Sequence, residues 1–138
     1  MSPEDACIIV GGGHAAAQLG PSLRQEGWTG PITVVGEEVY PPYHRPPLSK
    51  ALLLGEKTAD AISIRPARLY ADHGIDLQLG RRVATIDRER RRVLLDDGRA
   101  LPYAGLALCT GASVRRLSLP GAALDGVHYL RTIDDVLG

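Results

Sequence analysis

Val10-Gly11-Gly12-Gly13-His14-Ala15-Ala16, entered from the apolar run Ala6 to Val10, is the stretch that decides the fold. The run reads as a buried strand, and three consecutive glycines end it in a tight turn. Beyond the turn, His14 to Gln25 carries Ala15, Ala16, Leu19 and Leu23 at helical spacing, and Gly27 supplies a stop. Ile32 to Val35 is a second buried strand. Strand, helix and strand in this order imply a parallel pair joined by a right-handed crossover. The turn itself fits G-x-G-x-x-A. Gly11 permits the sharp exit from the strand, Gly13 lets a pyrophosphate approach the backbone, and Ala16 is small enough for close helix–sheet packing. A helix N-terminus offers unbonded N–H groups and partial positive charge to such a phosphate. The pattern also wants an acid about 20 residues further on to hold ribose hydroxyls. Glu37 stands there, directly after Val34-Val35-Gly36, with Glu38 beside it. A solvated glycine turn beside an acidic pair would not explain why strand, turn, helix and acid coincide. The expectation is dinucleotide binding, with FAD and NAD both left open by the turn alone.

The sequel departs from a simple strand–helix repeat. Tyr40-Pro41-Pro42-Tyr43-His44-Arg45-Pro46-Pro47 predicts a stiff, extended loop, because each proline fixes φ and removes a donor. Ser49 reads as the N-cap of a short helix through Leu54, closed by Gly55, and Arg68 to His73 reads as another short helix. Strands follow over Ile75 to Leu79, Val83 to Asp87 and Val93 to Leu95, with Arg88 to Arg91 as a turn. Asp97-Gly98 turns into a short strand near Leu101, so the last three predict an antiparallel meander. Leu106 to Cys109 is apolar and ends at Thr110-Gly111, much as the first strand ends at Gly11. The fold class expected is α/β: a Rossmann-type parallel sheet with helices and a small antiparallel meander.

Composition narrows the function classes. A length of 138 residues suits one domain, expected to span 1–138, that buries roughly 70% of its unfolded surface. Phe is absent, so Leu, Val, Ile and Ala must fill the core. Sixteen basic and sixteen acidic residues cancel, which gives no overall field for nucleic acid or an anionic membrane. The acidic start Met1 to Asp5 lacks the charge of a signal peptide, and no apolar run approaches the ~20 residues of a membrane span. A soluble cytoplasmic protein is expected. Cys7 and Cys109 form neither a disulfide framework nor a C-x-x-C pair and read as core residues. His14, His44, His73 and His128 have no metal-ligand spacing, so no metal site is expected. Arg81, Arg82, Arg88, Arg90, Arg91 and Arg92 cluster on turns. They suit a solvated hairpin, or a face for an acidic partner protein.

Five segments together carry a resemblance: Val10 to Ala16, Val35-Gly36-Glu37, Arg45-Pro46-Pro47-Leu48-Ser49-Lys50, Leu106 to Gly111, and Tyr129-Leu130-Arg131-Thr132. The chain resembles the ferredoxin reductase family of FAD enzymes, which includes putidaredoxin and rubredoxin reductases. The resemblance implies a glutathione-reductase-like FAD domain and FAD as cofactor. It implies Gly11, Gly13 and Ala15 in the phosphate-binding turn, with His14 between them, and Glu37 on the adenosine ribose. Val83 matches a residue whose backbone meets adenine. Lys50 matches a lysine beside the isoalloxazine, with Arg45 preceding it on the same loop. Thr110-Gly111 matches the turn of an A-T-G motif, Cys109 standing where Ala is usual, and Arg131 matches an arginine near the FAD. Spacing alone would leave Lys50 as a solvent-facing lysine. Chemistry agrees with the matched role, since a fixed ammonium can stabilise negative charge near flavin N1.

By the same resemblance, electrons would pass from NAD(P)H through FAD to a ferredoxin or rubredoxin-type acceptor. Only one glycine fingerprint occurs, and the chain ends at Asp134-Asp135-Val136-Leu137-Gly138. The expectation is an N-terminal portion that meets NAD(P)H only through a domain it does not carry. Alone it is expected to be inactive and open to self-association. A non-catalytic nucleotide-binding or interaction module is the alternative.

Overall fold

The computed structural model describes residues 5–138; Met1 to Glu4, most of the acidic start, lie outside the described residues. The residues form two compact units. The first runs up to Tyr43 and resumes over Ser63–Gly111; the second joins His44–Ile62 to Ala112–Gly138.

The first unit is built on a parallel sheet. Strand β1 (Cys7–Val10) leads through helix α1 (His14–Gln25) into β2 (Ile32–Gly36), in register from Cys7 opposite Ile32 to Val10 opposite Val35. Helix α2 (Ala67–Asp72) precedes β3 (Ile75–Leu79), which pairs parallel with β2. Strands β4 (Val83–Asp87), β5 (Arg92–Leu95) and β6 (Ala100–Pro102) form a separate antiparallel sheet. The chain then returns as β7 (Gly105–Leu108), parallel to β1, and the main sheet has the order β3-β2-β1-β7. The expected strands, helix and meander are all present, with ends shifted by a residue.

Alternation along β1 explains the layering, because successive side chains leave a strand on opposite faces. Cys7 and Ile9 join Ala16, Ile32, Val34, Tyr70 and Ile75 on one face, with Leu19 and Leu23 of α1 against them. Ile8 and Val35 face the other way, onto Val93 and Leu95 of the meander. The near-continuous apolar runs of β1 and β2 are thus those of strands covered on both sides.

Two local conflicts in α1 are resolved by arginines. Pro21 lies inside the helix and cannot bond the carbonyl of Ala17. The Arg65 guanidinium donates to that carbonyl instead, at 2.6 Å. At the far end of α1, Arg24 donates to the carbonyls of His73, Trp28, Gly30 and Gly74 at 2.7–2.8 Å. One side chain thereby ties the end of α1 to the entry of β2 and the exit of α2.

The second unit corrects the reading around Ser49. Pro46–Ser49 is a 3-10 turn with prolines in its first positions, where no donor is needed. Ser49 therefore ends a turn rather than starting a helix. Lys50, with φ −135° and ψ −110°, breaks it, and the residues up to Gly55 form hydrogen-bonded turns. The proline-rich loop is correspondingly not extended throughout. Helix α3 (Ile133–Leu137) was not expected; Thr132 and Asp135 cap it reciprocally.

Candidate functional site

In an open parallel sheet, ligands bind beyond the carboxyl ends of the strands, at the point where strand order reverses. Here β1 sends its helix connection to β2 on one side and lies beside β7 on the other. The glycine turn leaves β1 at that point. Its backbone is pinned from both sides: the Gly11 N–H donates to Val35 O at 2.8 Å, and the Cys109 N–H to Val10 O at 2.7 Å.

The glycines of the turn play different parts. Gly11 has φ +113°, and a Cβ there would run into the Cys109 carbonyl, whose carbon would lie 2.6 Å away. Gly11 is thus demanded by the close passage of the chain over the end of β7. Gly12 and Gly36 cross so closely that a Cβ on either would meet the other's Cα at 3.4 Å. Gly13 has ordinary extended geometry, φ −98° and ψ −160°, and a Cβ there would meet nothing within 4 Å. The fold does not require glycine at 13. It is the N-cap of α1 and carries no side chain to bond the first-turn N–H groups. A helix leaves those groups without intrahelical partners, and no acidic side chain occupies the first turn. Open space in front of such donors suits an incoming anion.

Around this turn, the structure separates the two acids that sequence left side by side. Glu38 is half-buried, and the Tyr43 hydroxyl hydrogen-bonds its carboxylate. Glu37 is exposed at the end of β2, and among the described residues the one cation within ion-pair reach of it is the Arg82 guanidinium, at 4.0 Å. Glu37 is the acid available to a ligand. Val83 opens β4 opposite Leu95, and a register shift separates it from Thr85. Thr110 and exposed Gly111, the latter at φ +67°, follow the chain past Gly11.

The second unit brings Arg45 and Arg131 together. Asp135 accepts the Arg131 and Thr132 N–H groups, both at 2.7 Å, which holds its carboxyl below the usual carboxylate range. The Arg131 carbonyl so fixed accepts from Arg45 Nη1 at 2.6 Å. An open cleft of about 300 Å³ lies between Arg45, Pro46, Leu48, Ser49, Leu130 and Arg131. Lys50 is exposed, its ammonium 3.3 Å from the Pro46 carbonyl. Sequence reasoning missed Asp135 and Thr132, although T-x-x-D is a legible capping signal.

Burial raises the thiols of Cys7 and Cys109, and Cys109 packs against the sheet core, so neither is an activated nucleophile. Of the arginine cluster, Arg90 and Arg92 pair with Asp87, and Arg81 pairs with Asp97, which Arg99 outside the cluster also meets. Much of its charge is thus internally offset. No group of three or more potential metal ligands occurs among the described residues. Among the same residues no helix is long and apolar enough to cross a membrane.

A sheet of this order with a glycine turn at the switch point has relatives. The family model for pyridine nucleotide-disulphide oxidoreductases matches residues 5–138. The chain belongs to that family. It is 48% identical over 125 residues to rhodocoxin reductase of Rhodococcus erythropolis, covering 91% of this chain and 29% of that one. The crystal structure of a ferredoxin reductase for the CYP199A2 system of Rhodopseudomonas palustris superposes with a TM-score of 0.89 at 42% identity. That match covers 96% of this chain and 33% of the other. A covalent putidaredoxin reductase–putidaredoxin complex matches with a TM-score of 0.84 at 42% identity, again over 96% and 33%. The chain thus spans about a third of the length of these relatives. The fold is the α/β dinucleotide fold of this oxidoreductase family, and FAD is the family's cofactor. The turn fits that cofactor: it offers an uncapped helix N-terminus, open space at Gly13 and an exposed acid at Glu37.

Proposed function

We propose that residues 1–138 are an FAD-binding domain, the N-terminal portion of an NAD(P)H-dependent ferredoxin or rubredoxin reductase. The observation that carries this reading is Gly13: a side-chain-free N-cap facing open space, where the fold itself makes no demand for glycine. Gly13, His14 and Ala15 present backbone N–H groups to the pyrophosphate, while Gly11, its own N–H bonded to Val35 O, makes the turn that carries them. Glu37 accepts the adenosine ribose hydroxyls, and the Val83 backbone meets the adenine. Thr110 and Gly111, beyond β7, and Arg45, Lys50 and Arg131 of the second unit are assigned as further FAD contacts on the family resemblance.

The chemistry FAD supplies when bound is conversion of a two-electron hydride donor into single electrons. This chain's residues bind and orient. Backbone donors and cations offset the diphosphate charge, and the ammonium of Lys50 favours negative charge near flavin N1. An iron–sulfur protein as electron acceptor is supported by the relatives, one of which is seen joined to putidaredoxin. NAD(P)H would be held by a further domain of the kind that completes those relatives.

The test is a flavin absorbance spectrum of the purified protein, with FAD and ADP titrations of the apoprotein. Bound FAD that is lost in Gly13→Val supports the reading. A colourless protein that takes ADP and refuses FAD would instead favour a nucleotide-binding module.

A further inference from the structure

The segment joining β3 to β4 gives the ribose acid a neighbour. The Gly80 N–H donates to Glu38 O at 3.1 Å, the Arg81 N–H to Gly36 O at 2.9 Å, and the Asp96 N–H to Arg82 O at 2.9 Å. These bonds fix two consecutive arginines beside the end of β2. Their side chains then part. Arg81 Nε lies 3.1 Å from Asp97, whereas Arg82 Nη1 lies 4.0 Å from Glu37. Glu37 is the one carboxylate within ion-pair reach of Arg82 among the described residues. The two side chains are 70% and 76% exposed, and an ion pair so exposed adds little to stability. The fold therefore gives no account of why the guanidinium stands there. A guanidinium has five N–H donors, and beyond this contact the described residues give Arg82's none a partner.

We propose that Arg82 is an adenosine-binding residue, its guanidinium flanking the ribose opposite Glu37 and covering a face of the adenine. The inference rests on the FAD reading above. Arg82 immediately precedes Val83, the assigned adenine contact, and its head group reaches Glu37, the assigned ribose acid. Its side chain thus spans the interval between two adenosine contacts. A planar, weakly hydrated guanidinium stacks on aromatic faces, which an ammonium does not do.

The experiment is titration of FAD and of ADP onto apoprotein for the parent, Arg82→Ala and Arg82→Lys, with thermal melting of each apoprotein. Arg82→Ala is expected to weaken FAD and ADP alike, roughly five- to thirty-fold, with an unchanged apoprotein melt. Arg82→Lys recovers less than half of that loss, on a logarithmic scale, because it restores charge and not the plane. In a Glu37→Gln background, removing Arg82 has a smaller effect. Parent-like affinity in Arg82→Ala, a loss for FAD with none for ADP, full rescue by lysine, or a lowered apoprotein melt would each overturn the inference. A parent that binds neither ligand sinks the FAD reading itself. A parent that binds both while ignoring Arg82 sinks this inference alone.

Discussion

Gly11 and Gly13 stand two residues apart in one motif, yet the structure assigns their glycine requirement to different causes. Gly11→Ala places a methyl carbon 2.6 Å from the Cys109 carbonyl carbon and 3.1 Å from the Thr110 nitrogen. Ordinary contact is about 3.5–4.0 Å; the obstructing atoms are backbone, and the Cys109 oxygen, nearer still than its carbon, must move by more than about 1 Å. Overpacking of this kind costs about 1–3 kcal/mol. A non-glycine residue held in a sparse backbone region adds about 1–3 kcal/mol. Taking the middle of each range, the variant loses about 4 kcal/mol, a large share of the 5–15 kcal/mol typical of a domain. The melting temperature should fall by on the order of 10 °C or more. Gly13→Val meets neither obstacle, since φ is −98° and nothing lies within 4 Å. Its cost to folding is that of an apolar N-cap, about 1 kcal/mol. Its effect falls on the ligand, because the branched side chain fills the space in front of the helix N-terminus.

The assay is thermal unfolding of each apoprotein by circular dichroism, followed by FAD titration of whatever remains folded. Gly11→Ala should melt far below the parent, and Gly13→Val close to it with FAD binding abolished. The reasoning fails if Gly11→Ala melts like the parent. It fails equally if Gly13→Val is the less stable of the two, or if it binds FAD with parental affinity.

The two acids should divide in the same way. Glu37→Ala is expected to weaken FAD by roughly 1–3 kcal/mol through unpaired ribose donors, measured by calorimetry; Glu38→Ala should leave affinity near the parent's and lower the melt, because it removes the hydrogen bond between the Tyr43 hydroxyl and that carboxylate. Arg65→Met orphans the Ala17 carbonyl beneath Pro21 and should cost about 1–3 kcal/mol in urea unfolding; adding Pro21→Ala restores an N–H donor, so the double variant should be the more stable of the two. The carboxyl of Asp135 is held below its unfolded value by the Thr132 and Arg131 N–H groups. Its contribution is therefore present above the ordinary carboxylate range and is lost as pH falls through the folded value. Asp135→Asn should flatten the acid side of the stability profile, and an unchanged profile would discount the capping contact.

How far the sequence could be read depended on the range of the interactions that decide each element. The β1–α1–β2 unit was legible because its causes are local: an apolar run, three glycines and helical spacing. The meander was legible because Asp97-Gly98 and the Arg88–Arg91 stretch are turn signals in themselves. Around Ser49 the local signal misled. A good N-cap residue was read forwards into a helix, while the two prolines before it had already begun a 3-10 turn that Ser49 ends. Proline excludes helix interiors but suits first turns, so its position within the element decides its effect. Within the candidate site, the glycine pattern showed where a phosphate could sit, but not that Gly11 answers to Cys109 across nearly a hundred residues of chain. Nor could spacing tell Glu37 from Glu38. That distinction is made by Tyr43, which engages one carboxylate and leaves the other exposed. Arg82 was visible only as one member of a basic cluster. Charge counting averages over such residues, whereas the backbone bonds from Arg81 to Gly36 and from Asp96 to Arg82 single it out by location. A motif thus records which backbone a ligand approaches, and the side chains that close over that ligand are selected by tertiary contacts the motif does not contain.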